Sequence, residues 1–216
     1  MSDFLLEAGR KALLLELQEA SSLPDRLDET FVQAANAVLN CKGKLIVSGM
    51  GKSGHIGKKL AATFASTGTP AFFVHPAEAL HGDLGMVESR DVMLFISYSG
   101  GAKELDHIIP RLKEKSVVLL AMTGKANSPL ALAADAVLDI AVEREACPMH
   151  LAPTSSTVNT LMMGDALAIA VMQARGFNEE DFARSHPAGA LGARLLNRVH
   201  HLMRQGDDIP QVTIHA

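Results

Sequence analysis

Between residues 44 and 141 the sequence contains five short, nearly continuous apolar runs, each bounded by Gly, Ser, Thr or Pro. Such runs predict strands that are buried on both faces. Helix-like stretches lie between them, and alternating strands and helices form a parallel sheet with helices on both sides. The sequence therefore predicts an α/β fold, a three-layer αβα sandwich with a five-stranded parallel sheet. The predicted strands are 44–48, 71–74, 92–97, 117–122 and 136–141, and the predicted helices among them are 56–65, 103–113 and 130–134.

Two more helices are predicted before the first strand. Apolar residues from Phe4 onward recur at helical spacing, Pro24 interrupts the pattern, and Phe31 restarts it. Because these helices precede every strand, they are expected to cover an edge of the sheet or a partner subunit. A long helix rich in small residues is predicted at 155–174. With no internal repeat or linker, we predict a single domain over 1–216, made of helices in 1–40, the sheet and its covering helices in 44–193, and a polar tail in 194–216.

Composition narrows the class of protein. With 48% hydrophobic and 20% charged residues, the chain of 216 residues is typical of soluble globular proteins. A net charge of −4, with Lys and Arg spread along the chain, argues against nucleic-acid binding. No apolar stretch approaches the ~20 residues of a membrane span. Cys41 and Cys147 form no spaced metal pair, and the N-terminus carries no export signal. These features predict a cytoplasmic protein that binds neither nucleic acid nor membrane.

The loops beyond the carboxyl ends of parallel strands are where ligands bind, so they hold the first candidates for chemistry. After the first predicted strand, residues 49–54 read Gly-Met-Gly-Lys-Ser-Gly and fit the G-x-G-x-x-G nucleotide pattern. That pattern needs an acidic residue after the next strand, where this sequence has His75 and a proline, and a P-loop would need glycine in place of Ile46. A nucleotide site is therefore disfavoured. The simpler alternative, a turn for close packing of strand and helix, would not need Lys52.

Hydroxyl side chains follow in two other predicted loops, after the third strand and at the start of the long helix. Hydroxyl groups and free backbone N–H groups at a helix start bind anions. Either loop alone is explained as a helix N-cap, but two such loops together with the glycine turn predict a phosphate pocket. The predicted substrate-binding hydroxyls are those of Ser53, Ser97, Ser99, Ser155, Ser156 and Thr157.

Four ionisable residues lie at predicted strand ends or where loops meet predicted helices, around this predicted pocket: Lys52, Glu104, Glu145 and His186. A single Glu or His in a loop is more often solvated than catalytic. Their convergence is the point of interest, because a carboxylate and an imidazole beside a phosphate are what proton transfer next to a sugar carbonyl requires. The group is therefore predicted to be catalytic.

Residues 75–83 hold two histidines and two carboxylates. Imidazole with carboxylate suits a divalent metal such as Zn²⁺, but the sequence has no H-E-x-x-H motif and no thiol near this segment. We therefore expect a zinc ion at His75 to be accessory, and His81 to contact the substrate.

Taken together, these loops strongly resemble the sugar isomerase (SIS) domain of arabinose 5-phosphate isomerases, and within that family the paralogue of sorbitol-utilisation operons. The resemblance implies the SIS fold, no required cofactor, and a homotetramer whose sites draw residues from neighbouring subunits. It places the catalytic positions on Lys52, Glu104, Glu145 and His186, substrate contacts on Gly68, Thr69 and His81, and a zinc-binding position on His75. The motifs that carry it run along nearly the whole chain, at 49–54, 66–70, 81–85, 145–148, 152–157 and 185–187.

Two departures from the family pattern stand out. The usual Ser-Gly-Glu-Ser-Ser-Glu run reads Ser-Gly-Gly-Ala-Lys-Glu at 99–104, so two hydroxyls and one carboxylate are lost while Glu104 remains. Phosphate affinity or sugar preference is expected to change with them. Many full-length relatives continue into a pair of CBS modules, and the expectation for 1–216 is a SIS domain without that pair.

The reaction implied by the resemblance is the interconversion of D-ribulose 5-phosphate and D-arabinose 5-phosphate, in which a proton moves between C1 and C2 through an enediol. Glu104 or Glu145 would carry that proton, and the sequence leaves the choice open. Two alternatives are a non-catalytic sugar-phosphate sensor of the same fold and an isomerase of a hexose phosphate. Sensors of this fold commonly carry a DNA-binding helix-turn-helix, and the N-terminal helices here are neither basic nor numerous enough. In family members the product feeds the Kdo sugar of lipopolysaccharide.

Overall fold

Five strands form one parallel sheet: β1 (Leu45–Gly49), β2 (Ala71–Val74), β3 (Val92–Ile96), β4 (Val118–Thr123) and β5 (Ala136–Asp139). Their order across the sheet is β2-β1-β3-β4-β5. β1 therefore lies between β2 and β3, and Leu45 pairs with both Ala71 and Val92. All five predicted strands are confirmed, with ends that differ by at most two residues.

The computed structural model describes residues 1–186, Met203, Arg204 and Ile209. It divides into two compact units, Met1–Gly176 and Phe177–Ala216, and the sheet lies in the first. Most of the predicted tail, and Pro187 of the 185–187 motif, lie outside the described residues. The single domain over 1–216 stays a prediction.

Helices cover both faces of the sheet in the first unit. The predicted long helix is confirmed with the same ends, and the two N-terminal helices are separated by a 3₁₀ turn at Pro24–Arg26. Two short helices, the fourth and the eighth, were not predicted. The helices are α1 (Ser2–Ala20), α2 (Glu29–Leu39), α3 (Gly51–Ser66), α4 (Pro76–Leu80), α5 (Leu105–Glu114), α6 (Pro129–Ala133) and α7 (Ser155–Ala174), with α8 (Glu179–Ser185) in the second unit.

Side chains of each strand alternate between two apolar cores, one on each face of the sheet. Leu45 and Val47 lie in the core that contains residues of α2, α3 and α7. Ile46 lies in the opposite core, with residues of α5 and α6. Because both faces are covered, the strands need apolar residues at every position, which explains the nearly continuous runs in the sequence. The three-layer αβα architecture is confirmed.

The N-terminal helices cover one edge of the sheet, as expected. α2 packs against the edge strand β5, and both α1 and α2 pack against α7. α1 itself is largely exposed: Leu5, Leu13 and Leu17 show more than 60% of their surface, and the only buried residues of α1 are Glu19 and Ala20. In the part of the chain that the structure describes, no helix is both long and apolar enough to cross a membrane.

Candidate active site

The strand order reverses between β1 and β3, and this is where open parallel sheets form a crevice for ligands at their carboxyl ends. Gly49 at the end of β1 pairs with Ile96 at the end of β3, so the loops after both strands begin side by side. α3 starts two residues after β1, and its N-cap, Met50, makes no side-chain hydrogen bond. Within the described residues the N–H groups of Gly51, Lys52 and Ser53 donate to nothing. The start of α3 is thus open to an anion, with the cation of Lys52 in its first turn.

The loop after β3 is a tight turn that is held by its own hydroxyl groups. The N–H of Gly100 donates to Ser97 Oγ at 3.2 Å, and the N–H of Gly101 donates to Ser99 Oγ at 3.5 Å. The Tyr98 carbonyl accepts from Thr123 Oγ1 at 3.1 Å, which fixes the turn on β4. Ser99 is exposed at the tip. The two predicted serines therefore stand at the carboxyl end of β3, beside the start of α3.

Gly100→Ala is expected to lower the free energy of unfolding by about 1–3 kcal/mol, because φ at Gly100 is +62° and an added Cβ would strike the Ser128 side chain. Urea titration measures the change, and phosphate binding should weaken with it. Gly101→Ala is the matched control, since the nearest atom to its added Cβ, the Ser99 carbonyl oxygen, lies 4.0 Å away and its φ is not positive. Equal stability of the two variants would contradict the role given to this turn.

Glu145 is fixed by the N-terminus of α7. Its Oε2 accepts hydrogen bonds from the N–H of Thr154 at 2.7 Å, from Thr154 Oγ1 at 3.0 Å and from the N–H of Ser156 at 3.2 Å. Thr154 Oγ1 in turn accepts from the N–H of Ala146 at 2.8 Å. A carboxylate of the chain itself therefore occupies the helix start that the sequence assigned to phosphate.

The surroundings of Glu145 keep it ionised. Partial burial raises the pKa of this carboxyl, but the hydrogen bonds from Ser156 and Thr154 outweigh burial, and the pKa lies below its ordinary value. A carboxylate with a lowered pKa is a weak acceptor of protons near neutral pH. Glu145 is therefore suited to act as a fixed negative charge rather than as a strong base.

A cleft of about 540 Å³ lies beside Glu145, at the carboxyl ends of β3, β4 and β5. Tyr98 closes one side of it, since its hydroxyl group lies 3.1 Å from the N–H and 3.3 Å from the carbonyl oxygen of Val142. Two cationic side chains that the sequence did not single out, Lys125 and Arg144, line the same cleft as Glu145. The polar residues lining the cleft are Tyr98, Lys125, Glu143, Arg144, Glu145, His150 and Ser156. Lys125 lies in the loop that follows β4, and this position is the signal that could have identified it.

Glu104 is the N-cap residue of α5 and is half-buried at the end of the loop after β3. Within residues 1–186 its carboxylate accepts no hydrogen bond. Lys52, Glu104 and Glu145 thus follow the carboxyl ends of β1, β3 and β5, at one edge of the sheet. In contrast to Glu145, Glu104 has no donors among the described residues that hold its carboxylate in place.

His186 belongs to the second unit and follows α8 directly. Its ring stacks on Phe182 with 4.0 Å between centroids, and its Nδ1 lies 3.0 Å from the Phe182 carbonyl oxygen. Because a carbonyl can only accept, Nδ1 carries the proton of the neutral ring and Nε2 is left as an acceptor. α8 is fixed by a capping box between Asn178 and Asp181.

Several predicted substrate contacts do not lie with the others. Gly68 and Thr69 join α3 to the amino end of β2, so they lie at the opposite edge of the sheet from Lys52. Ser155 Oγ is buried and has no hydrogen-bond partner among the residues that the structure describes. Thr157 Oγ1 donates to the Thr154 carbonyl at 2.7 Å, within its own helix turn. Of the three hydroxyl residues that open α7, only Ser156 lines the cleft.

The zinc ion predicted at His75 has no support in the structure. His75 is the N-cap of α4, and its Nδ1 accepts from the N–H of Ala77 at 3.2 Å, which leaves only Nε2 for a metal. Among the described residues no group of three His, Cys, Asp or Glu could hold a metal ion. These residues do not fit a resident zinc ion. His81 follows α4 and is exposed.

Comparison with known proteins gives a consistent match. The profile of the SIS domain matches residues 38–170. Arabinose 5-phosphate isomerase GutQ from Salmonella typhi is 83% identical over 214 residues, which are 99% of this chain and 67% of that protein. Arabinose 5-phosphate isomerase KdsD from Shigella flexneri is 55% identical over 206 residues, 95% of this chain and 63% of that protein. The chain therefore spans about two thirds of the length of these relatives.

One solved structure matches both the fold and the sequence. A protein of Escherichia coli CFT073 in complex with arabinose 5-phosphate superposes with a TM-score of 0.83 at 40% sequence identity. The match covers 87% of this chain and 100% of that one.

Proposed function

The chain belongs to the SIS-domain family, and on that premise we propose that it is an arabinose 5-phosphate isomerase, which interconverts D-ribulose 5-phosphate and D-arabinose 5-phosphate. The observation that carries this proposal is the 83% identity to the isomerase GutQ along 99% of the chain. The structural match to a protein solved with arabinose 5-phosphate supports the same substrate.

The reaction needs no redox cofactor, because the hydrogen moves within one sugar molecule. A base removes a proton from C1 of the ketose, and the electron pair forms the C1–C2 double bond of an enediolate. Return of a proton to C2 and a shift of the hydroxyl proton between O1 and O2 give the aldose. The protein must therefore bind a phosphate, stabilise a negative oxygen and hold one base between two neighbouring carbons.

The phosphate is best accommodated at the crevice between β1 and β3. The free N–H groups at the start of α3, the hydroxyl groups of Ser53, Ser97 and Ser99, and the cation of Lys52 all come from loops that begin there. Lys52 would neutralise the phosphate or the developing enediolate oxygen, an electrostatic role that is often the largest single contribution.

Glu104 is the better candidate for the base. Glu145 is held by donors at the start of α7 and its pKa is lowered, so this carboxylate stays ionised and is a weak base. Glu104 has no such donors within the described residues and is free to take a proton and return it. Glu145 then serves as a fixed charge that orients a sugar hydroxyl. For His186 the family resemblance supports a catalytic role, with Nε2 as an acceptor for hydroxyl protons.

The purified chain tests this proposal directly. With D-ribulose 5-phosphate as substrate, we expect D-arabinose 5-phosphate to form in the absence of added metal or cofactor. Binding of the sugar phosphate without conversion would contradict the isomerase and favour a sensor. Faster conversion of a hexose phosphate in the same substrate panel would contradict the assigned substrate.

A homotetramer is also proposed, and two features support it. The apolar side chains of α1, including Leu5, Leu13 and Leu17, are exposed. Gly68 and Thr69 lie at the sheet edge opposite Lys52, so they would reach a site only from another subunit. Light scattering at micromolar concentration should give four times the chain mass, and a monomer would contradict this assembly.

We further propose a cytoplasmic enzyme whose D-arabinose 5-phosphate feeds the Kdo sugar of lipopolysaccharide. The resemblance to the arabinose 5-phosphate isomerases supports this place in metabolism, and the 55% identity to KdsD agrees with it.

A further inference from the structure

We infer that Glu19, in the last turn of α1, is a positioning residue that holds the loop of Glu145 in its active geometry. This inference rests on the proposed function, since it concerns the same site. Glu19 belongs to a helix that contributes no residue to the catalytic set.

Glu19 binds the two residues that directly precede Glu145. Its Oε2 accepts from the N–H of Glu143 at 2.8 Å, and its Oε1 accepts from the N–H of Arg144 at 3.2 Å. Both carboxylate oxygens are thus used on consecutive backbone donors of one loop. The carboxylate acts as a bidentate clamp on this irregular segment, which has no strand or helix partner of its own.

The surroundings of Glu19 argue against a role in the stability of α1. Its side chain is nearly fully buried, with 6% of the residue exposed, and within the described residues it forms no ion pair. The last turn of α1 contains no basic residue, and a carboxylate at a helix C-terminus is disfavoured by the helix dipole. A buried carboxylate without a cation is costly unless it is hydrogen-bonded. The two loop N–H groups are the donors that satisfy it.

Other side chains fix the loop before and after these two residues. Arg26 Nη1 donates to the Ala141 carbonyl at 2.6 Å, and the Tyr98 hydroxyl holds Val142. On the far side of Glu145, the N–H of Ala146 donates to Thr154. Glu19 therefore supplies the restraint nearest to Glu145 on its N-terminal side.

Loss of that restraint would move Glu145 relative to the cleft. Displacement of a positioned group by about 1 Å can cost about 10²-fold in rate. The phosphate loops after β1 and β3 make no hydrogen bond with Glu19, so affinity for the sugar phosphate would change little.

The experiment compares Glu19→Gln with Glu16→Gln, the same change of charge and shape on the same helix, where no hydrogen bond to the loop exists. We expect Glu19→Gln to lower kcat by about 10–10²-fold with KM within about threefold of the unsubstituted protein, and Glu16→Gln to change neither. In a Glu145→Gln background, the same Glu19→Gln change should lower kcat by less than about threefold, because its effect passes through Glu145.

Two kinetic outcomes would overturn the inference. One is a Glu19→Gln variant with the kcat of the unsubstituted protein. The other is an equal loss in both backgrounds, which is the result expected of a merely structural role. A protein that converts no sugar phosphate at all would instead overturn the proposed function, and the exchange measurement below would then decide the inference alone.

Hydrogen–deuterium exchange at single-residue resolution gives that second readout. The amides of Glu143 and Arg144 should exchange slowly in the unsubstituted protein, although their side chains are exposed. Both amides, and that of Ala146 beyond Glu145, should exchange faster in Glu19→Gln and not in Glu16→Gln. If Glu19→Gln does not fold, fast exchange of Glu143 and Arg144 in the unsubstituted protein would still overturn the inference, and slow exchange would support it.

Discussion

Glu104→Gln is expected to lower kcat for the conversion of D-ribulose 5-phosphate to D-arabinose 5-phosphate by about 10²–10⁴-fold, the usual contribution of a general base. The amide keeps the shape of the side chain but cannot accept the proton from C1. KM should change little, because the proposed phosphate contacts come from the start of α3 and the turn after β3. Initial rates over a range of substrate concentrations separate the two constants.

Glu114→Gln is the matched control for this variant. Glu114 ends the same helix, α5, and forms an exposed ion pair with Arg111. Exposed ion pairs of this kind contribute little, so its kcat and stability should remain those of the unsubstituted protein. Normal turnover by Glu104→Gln would contradict its assignment as the base and transfer that role to Glu145.

Glu145→Gln is expected to lower both activity and stability. The free energy of unfolding should fall by about 1–2 kcal/mol, because charge-assisted hydrogen bonds from Thr154 and Ser156 to a partly exposed carboxylate are replaced by weaker neutral ones. kcat should fall by about 10²-fold as the fixed charge beside the sugar is lost. Urea titration and initial rates measure the two effects on the same preparation.

The difference in the free energy of unfolding between Glu145→Gln and the unsubstituted protein should become smaller at low pH. The pKa of Glu145 in the folded protein lies below its ordinary value, because the hydrogen bonds at the start of α7 outweigh partial burial. Its ionised form therefore stabilises the fold fully above the pKa of the unfolded chain, and this contribution is lost as the pH falls through the folded pKa. The difference in the free energy of unfolding between the two proteins should begin to shrink as the pH falls below about 4 and vanish below the folded pKa. A difference that is constant from pH 7 to pH 3 would contradict this account of Glu145.

The sheet could be predicted from the sequence because strands that are buried on both faces appear as continuous apolar runs. At Ile46 and Val47 one side chain enters each core, so neither position can be polar, and the run is continuous. The carboxyl ends of the strands then indicated Lys52, Glu104 and Glu145. α4 escaped prediction because its five residues are too few for helical spacing, although His75 and Pro76 form an ordinary N-cap and first position.

The rest of the site depends on contacts between distant parts of the chain. Glu19 binds the N–H of Arg144, 125 residues away in sequence, and Tyr98 binds Val142, 44 residues away. Neither pairing has a local pattern, because an irregular loop can be held by any side chain that folding brings to it. The contact of Glu145 with the start of α7 also has no local pattern, and the hydroxyl residues there were therefore predicted to bind phosphate. The sequence shows an open helix start and cannot show that Glu145 folds back onto it.

Solvent deuterium at C2 of the product tests the central claim most directly. If a carboxylate carries the hydrogen from C1 to C2 as a proton, that proton can exchange with solvent before it is returned, so D-arabinose 5-phosphate formed in D₂O by the unsubstituted protein should carry solvent deuterium at C2 in part of the molecules. The rate of deuterium incorporation should fall together with the turnover rate in Glu104→Gln and should remain unchanged in Glu114→Gln. Product that forms at the full rate without any deuterium at C2 would favour a direct hydride shift from C1 to C2 and would contradict transfer through a carboxylate whose proton exchanges with solvent.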